Sequence, residues 1–120
     1  MSTGEVNFEV ERQDAPTGST ATVVALSGEF DLSVAQAFSE ALNAALEGPA
    51  VVLVMDEVVF MDSSALHIVL GAKEGLDGDG VPVVLAAADG SVAASLFDVT
   101  GLTGFLPRYG TVEEALHVLE

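Results

Sequence analysis

Met61-Asp62-Ser63-Ser64-Ala65 places two hydroxyls behind a carboxylate, between a solid apolar run and a second, helically spaced one. That position is a strand-to-helix junction. Unpaired amide hydrogens and a partial positive charge gather at the first turn of a helix. A phosphate on a first-turn serine would be stabilised there, and its roughly two negative charges would remodel any protein contact it entered. The same residues have a plainer use, because Asp and Ser are the commonest helix caps and a cap needs no partner molecule. Both readings concern the same hydroxyl.

Other chemistry is scarce. The chain has no cysteine, hence no disulfide framework, thiol nucleophile or thiolate metal site. A triad of Ser63, His67 and Asp31 can be drawn on paper, but a serine and a histidine four residues apart on one helix do not present the aligned hydrogen bond that such catalysis requires. His117 falls in a terminal helix beside Val118 and Leu119, where packing or solvent explains it more simply. Asp77 and Asp79 lack the full spacing of a calcium loop, and Gly75, Gly78 and Gly80 lack both the spacing and the lysine of a phosphate-binding loop. The chain therefore reads as a binding protein and not an enzyme, with no metal and no cofactor.

Charge narrows the partners. Three basic residues, Arg12, Lys73 and Arg108, stand against 19 acidic ones, for a formal net charge of -16. Such a balance repels nucleic-acid phosphates and anionic lipid and favours basic partners. A general adaptation to a high-salt habitat would give the same composition and say nothing about partners. Half of the residues are hydrophobic, which supports a folded core, and 120 residues suit one domain spanning 1–120. Met1-Ser2-Thr3-Gly4-Glu5 lacks the features of a secretory leader, and no apolar run reaches the length of a membrane span. A cytoplasmic protein without membrane insertion is the expectation.

The elements that must position the hydroxyls follow from periodicity. Val6, Phe8 and Val10 alternate with Asn7, Glu9 and Glu11 in a strand from Val6 to Arg12. A turn at Asp14 to Ser19 leads into a second strand, Ala21 to Leu26, closing a hairpin. Ser33 and Gln36 have capping-box spacing ahead of Val34, Ala37, Phe38, Ala41, Leu42, Ala45 and Leu46, an amphipathic helix stopped by Gly48-Pro49. Ala50 to Met55 is continuously apolar, as in a strand covered on both faces, so strand, helix and strand form a right-handed crossover. Residues 62–75 are the next helix, burying Leu66, Ile68, Val69 and Leu70. A strand at Val81 to Ala86 carries Pro82 near its beginning, an edge or first-residue position. Ser91 to Phe97 forms a short helix, Gly101 to Gly104 breaks the chain, and Phe105-Leu106 is a short strand or extended piece. Thr111 and Glu114 then cap a last helix. The whole predicts an α/β fold, a mixed β-sheet of four to five strands flanked by about four helices.

Three segments in order carry a resemblance: Gly28-Glu29-Phe30-Asp31, then Val58-Val59-Phe60-Met61-Asp62-Ser63-Ser64-Ala65-Leu66, then Leu96-Phe97-Asp98-Val99-Thr100-Gly101-Leu102. Together they resemble the bacterial anti-sigma factor antagonists, the small single-domain proteins of the STAS class. The resemblance implies a STAS-like fold and a protein-binding switch. Its partner would be an anti-sigma factor that is also a serine kinase of GHKL type, which phosphorylates the first serine of the motif, here Ser63. The unphosphorylated protein would bind that kinase and free a sigma factor, and a serine phosphatase would reset the phosphorylated form. Ser64 matches the second hydroxyl position, a possible secondary acceptor.

Asp31, Asp62, Ala65, Leu66 and His67 are the implied partner-binding residues, with turn formation the plainer use of Asp31. Two positions depart from the family pattern. Ala65 stands where glycine is usual, and its methyl would crowd a close backbone approach. His67 stands where the family tends to be small; protonated, it could hold a phosphate oxygen, and its plainer reading is an exposed helix residue. Some members of the class work without a kinase, as scaffolds or regulatory subunits in signalling assemblies or beside lipid transporters, and that alternative stays open here. Met55 and Met61 read as core or rim, Phe97 and Leu102 as core or as an apolar docking edge, and Arg108 as an ion pair or a solvated cation.

Overall fold

The computed structural model describes residues 8–16 and 18–119. Val6 and Asn7 of the expected first strand, the segment Met1 to Glu5 and Thr17 of the first turn lie outside the described residues. Five strands form one sheet in sequence order: β1 (Phe8–Gln13), β2 (Thr22–Phe30), β3 (Val51–Met61), β4 (Val83–Ala86) and β5 (Arg108–Tyr109). β1 runs antiparallel to β2, and β2 through β5 are parallel. The helices are α1 (Ala35–Ala45), α2 (Ser63–Gly78), α3 (Val92–Thr100) and α4 (Val112–Leu119). The α/β expectation of a mixed sheet with about four helices holds.

Crossovers of one hand that step in one direction across a sheet must land on one face. Phe38 and Leu42 of α1, Ala65, Leu66 and Val69 of α2, and Ala93 and Phe97 of α3 accordingly share a core with Val24, Leu26, Phe30, Leu53 and Met55. Phe8, Phe30 and Phe38 meet there, with Phe30 and Phe38 ring centroids 4.7 Å apart. Met61 and Phe97 join this core, which settles both in favour of packing. α4 alone covers the second face, setting Ala115 and Leu116 on Val23, Val52, Val84 and Ala86. Among the described residues no helix covers the rest of that face.

β3 is two residues longer than the nine-residue β2 it pairs with, and the register accounts for both extra residues. Shifts occur between Ala25 and Ser27, which pair with Val54 and Glu57, and between Gly28 and Glu29, which pair with Val58 and Phe60. Each is a β-bulge in β3. The inward set therefore runs Val51, Leu53, Met55, then Val58, then Met61. Each step of three keeps an apolar side chain under the helices and pushes two residues outward. These bulges also explain why β3 was expected to stop at Met55: past that point the alternation that signals a strand is broken. β2 likewise extends past the expected Leu26 to Phe30.

Three local expectations are corrected. Ser33 does not cap α1, because Leu32–Val34 forms a 3-10 turn and Asp31 caps that turn instead. Gln36 reaches forward to Glu40 and not back. The last strand is Arg108–Tyr109 and not Phe105-Leu106. The carbonyl of Leu102 accepts from both Phe105 and Leu106 and holds them in a turn, with Leu106 fully buried. α2 passes the expected stop at residue 75 and runs to Gly78, with Lys73 and Asp77 paired along it and Gly80 in the left-handed region just beyond. Pro82 directly precedes β4, an interior strand, which fits the first-residue position and not the edge.

Candidate functional site

The central parallel strands β2 and β3 end side by side, with Phe30 opposite Met61. Asp31 and Asp62 follow them, so the two acidic turns share one end of the sheet. The amide of Asp62 donates to the Phe30 carbonyl at 3.0 Å, adding one more rung between the strands. Its carboxylate then divides its work. Oδ1 accepts from the Ala65 amide at 3.1 Å, the N-cap bond of α2, and Oδ2 accepts from the Leu32 amide at 3.0 Å. One side chain thus ties the start of α2 to the turn after β2. Asp31 Oδ1 accepts from both the amide and the hydroxyl of Ser33, closing its own turn.

This frame fixes Ser63 as the first residue of α2, exposed to solvent. The amides of Ser63 and Ser64 belong to the first helical turn, where no intrahelical carbonyl can reach them. No acidic residue lies in that first turn. Ser64 is half-buried, and His67, one turn further on, is exposed. Ala65 and Leu66 turn inward, Ala65 to complete burial, and pack in the helix-covered core. Their side chains therefore seat α2 on the sheet, whereas the resemblance had implied them at the partner surface. The methyl of Ala65 points away from solvent, so it does not crowd an approach to Ser63.

Ser63 and His67 share no hydrogen bond, and the Asp31 carboxylate is engaged with Ser33. Among the described residues no group of three or more His, Asp or Glu side chains is arranged to hold a metal ion. No helix among them is long and apolar enough to cross a membrane. Phe97 is in the core, with Leu102 half-buried against that core. Arg108 makes the structural ion pair, its guanidinium meeting the Ala87 carbonyl at 2.8 Å, Asp89 at 3.1 Å and Asp98 at 3.9 Å.

The residue-by-residue reading missed an apolar rim. Leu32 is 72% exposed, Val59 63% and Phe60 48%, all large side chains at the end of the sheet that carries Ser63. Val59 is the extra residue of the second bulge, and Phe60 pairs with Glu29 on the face opposite the helices. The apolar run Val58-Val59-Phe60 was visible in the sequence; that two of its three members face outward was not, because a bulge leaves no periodic signal.

A mixed sheet in this order, with the hydroxyl pair opening the second crossover helix, defines the class, and the match to the STAS domain family over residues 8–115 places the chain in it. This protein belongs to the STAS domain family. It is similar to the crystal structure of an anti-sigma factor antagonist from Mycobacterium paratuberculosis, at 27% identity over 98% of this chain and 97% of that one, with a TM-score of 0.79. The anti-sigma factor antagonist SpoIIAA in its unphosphorylated form shares the fold at 22% identity, 92% and 96% coverage and a TM-score of 0.68. The Bacillus cell fate determinant SpoIIAA in its phosphorylated form does so at 24% identity, 94% and 99% coverage and a TM-score of 0.55.

Proposed function

We propose that this protein is an anti-sigma factor antagonist, a cytoplasmic binding module without catalytic activity whose docking is switched by phosphorylation of Ser63. Unphosphorylated, it sequesters an anti-sigma factor that is itself a GHKL-type serine kinase, and so frees a sigma factor. Phosphorylated on Ser63, it releases the kinase until a serine phosphatase restores it. The observation that carries this reading is the placement of Ser63, an exposed hydroxyl opening α2 on a turn pinned from both sides by Asp62. Likeness to the Mycobacterium antagonist over nearly the full length of both chains supports the role.

The chemistry of the switch follows from that placement. A phosphate on Ser63 meets the unpaired amides of the first turn, which stabilise it on the protein. It also adds a dianion to a surface already carrying Asp31 and Asp62, and a partner complementary to the neutral hydroxyl then faces repulsion and desolvation. His67, one turn on, can hold a phosphate oxygen when protonated. Ser64 is the lesser acceptor because it is half-buried. Asp31, Asp62 and His67, with the apolar rim of Leu32 and Phe60, form the docking surface; Ala65 and Leu66 hold α2 in position beneath it.

The test is peptide mapping by mass spectrometry after incubation with ATP and each GHKL-type anti-sigma kinase of the source organism. A single phosphate on Ser63 is expected. No modification by kinases shown to be active, or modification elsewhere in the chain, refutes the switch.

A further inference from the structure

The second face of the sheet is only half covered. α4 shields Val23, Val52, Val84 and Ala86, and beyond it, among the described residues, no helix lies above β1, the later half of β2 or the bulged part of β3. An antiparallel pair such as β1–β2 commonly leaves one face to solvent, whereas the parallel β2–β3 pair beside it would normally be covered on both. The register defines its surface. Glu11 stands opposite Ala25, which stands opposite Val54; one step along, Glu9 stands opposite Ser27, which stands opposite Glu57. Small residues of the middle strand thus form a floor, and carboxylates of the flanking strands, with Asp56 beside Glu57, form two walls. The resulting trough has a volume of about 310 Å³.

Among the described residues no lysine or arginine neutralises these walls. Strand alternation turns Arg12 to the opposite face, where it bonds the Ala44 carbonyl at 3.1 Å and Glu47 at 3.4 Å. Lys73 is committed to Asp77, and Arg108 to Asp89 and Asp98. All three basic residues are spent elsewhere. Of the four wall carboxylates, only Asp56 accepts a hydrogen bond among the described residues, from the Ala88 amide at 2.7 Å. The next row along the face sets Glu29 opposite Phe60, an exposed aromatic ring.

We propose that this bare half-face is a second docking surface, which seats an arginine- or lysine-bearing segment of a protein partner along β2. An extended segment with basic residues at alternate positions places its cations against both walls, where strand geometry puts successive same-side residues two apart. Small floor residues let the backbone of the segment approach, and charge complementarity between a carboxylate-walled trough and a cationic chain selects it over acidic or neutral chains.

The experiment is an amide-resolved NMR titration of the full chain with a short synthetic peptide of alternating arginine and alanine. Saturable shifts confined to Glu9–Gln13, Ala25–Glu29 and Val54–Phe60 are expected. Glu9→Gln combined with Glu57→Gln should weaken the peptide roughly tenfold, while Glu74→Gln combined with Glu113→Gln, which removes equal charge from α2 and α4, should leave the affinity within about twofold. Equal weakening by both pairs, or non-saturating shifts spread over all acidic surfaces, overturns the proposal and leaves only diffuse attraction to an acidic protein. Neither Ser63 nor a kinase enters the titration, so its outcome is independent of the phosphorylation switch.

Discussion

Removing the Asp62 carboxylate should loosen α2 and the turn after β2 together. Asp62→Ala deletes an N-cap bond worth about 1 kcal/mol and a bond from the Leu32 amide to a charged acceptor, worth ~1.5–3 kcal/mol in general. Leu32 is 72% exposed, so its freed amide can turn to water and the second loss falls to about 1 kcal/mol. The total is about 2 kcal/mol, or roughly 8 °C in Tm for a domain of this size. Asp62→Asn separates the two bonds. Its amide oxygen can still cap α2, since Asn and Asp are equivalent caps, but its NH2 group then faces the Leu32 N–H, donor to donor, and the cost should be about half that of alanine. Paired thermal and urea unfolding followed by circular dichroism measures both. An alanine variant within about 0.5 kcal/mol of the parent, or an asparagine variant as damaging as alanine, would refute the double-pin reasoning.

Two further perturbations probe the frame. Deleting Val59 removes the extra residue of the second bulge and leaves Val58 and Met61 facing the core in ordinary alternation. The deletion should cost no more than ~1–2 kcal/mol, whereas deleting Leu53 from the regular part of β3 flips every later side chain and should abolish cooperative unfolding. Lys73 is 9% exposed, pairs with Asp77 at 2.6 Å and lies 5.4 Å from the Phe105 ring centroid. Urea melts should show Lys73→Met nearly neutral and Asp77→Ala costing ~1 kcal/mol, because the second change leaves a mostly buried cation without its carboxylate; the reverse order would show that the pair is dispensable.

Much of the frame was legible in sequence because simple physical signals agreed. The apolar spacing of Phe38 and Leu42 marked α1, the continuous Ala50 to Met55 run marked the buried part of β3, and Asp62 ahead of Ser63 marked the start of α2. What failed was local competition among polar groups. Asp31 captured the amide and hydroxyl of Ser33, so the expected capping box never formed. At the other end of the chain Thr111 caps α4 as expected, yet Glu114 reaches back to the Gly110 amide and not to that of Thr111. The bulges of β3 were illegible because they depend on pairing with β2, a tertiary fact, and with them went the exposed Val59 and Phe60. Burial of Ala65 and Leu66 was half-legible: Leu66 had been assigned to the buried side of its helix by spacing, while the family resemblance placed both at the partner surface.

The central claim is that one phosphate on Ser63 decides whether the protein binds. Calorimetric titration of its GHKL-type anti-sigma kinase with unphosphorylated protein, and separately with protein quantitatively phosphorylated on Ser63, tests it most directly. The account predicts tight binding of the first and a loss of roughly hundredfold or more for the second, as expected when a dianion enters a closely packed interface. Equal affinity for the two forms would contradict it and leave Asp62-Ser63 as a helix start with no switching role.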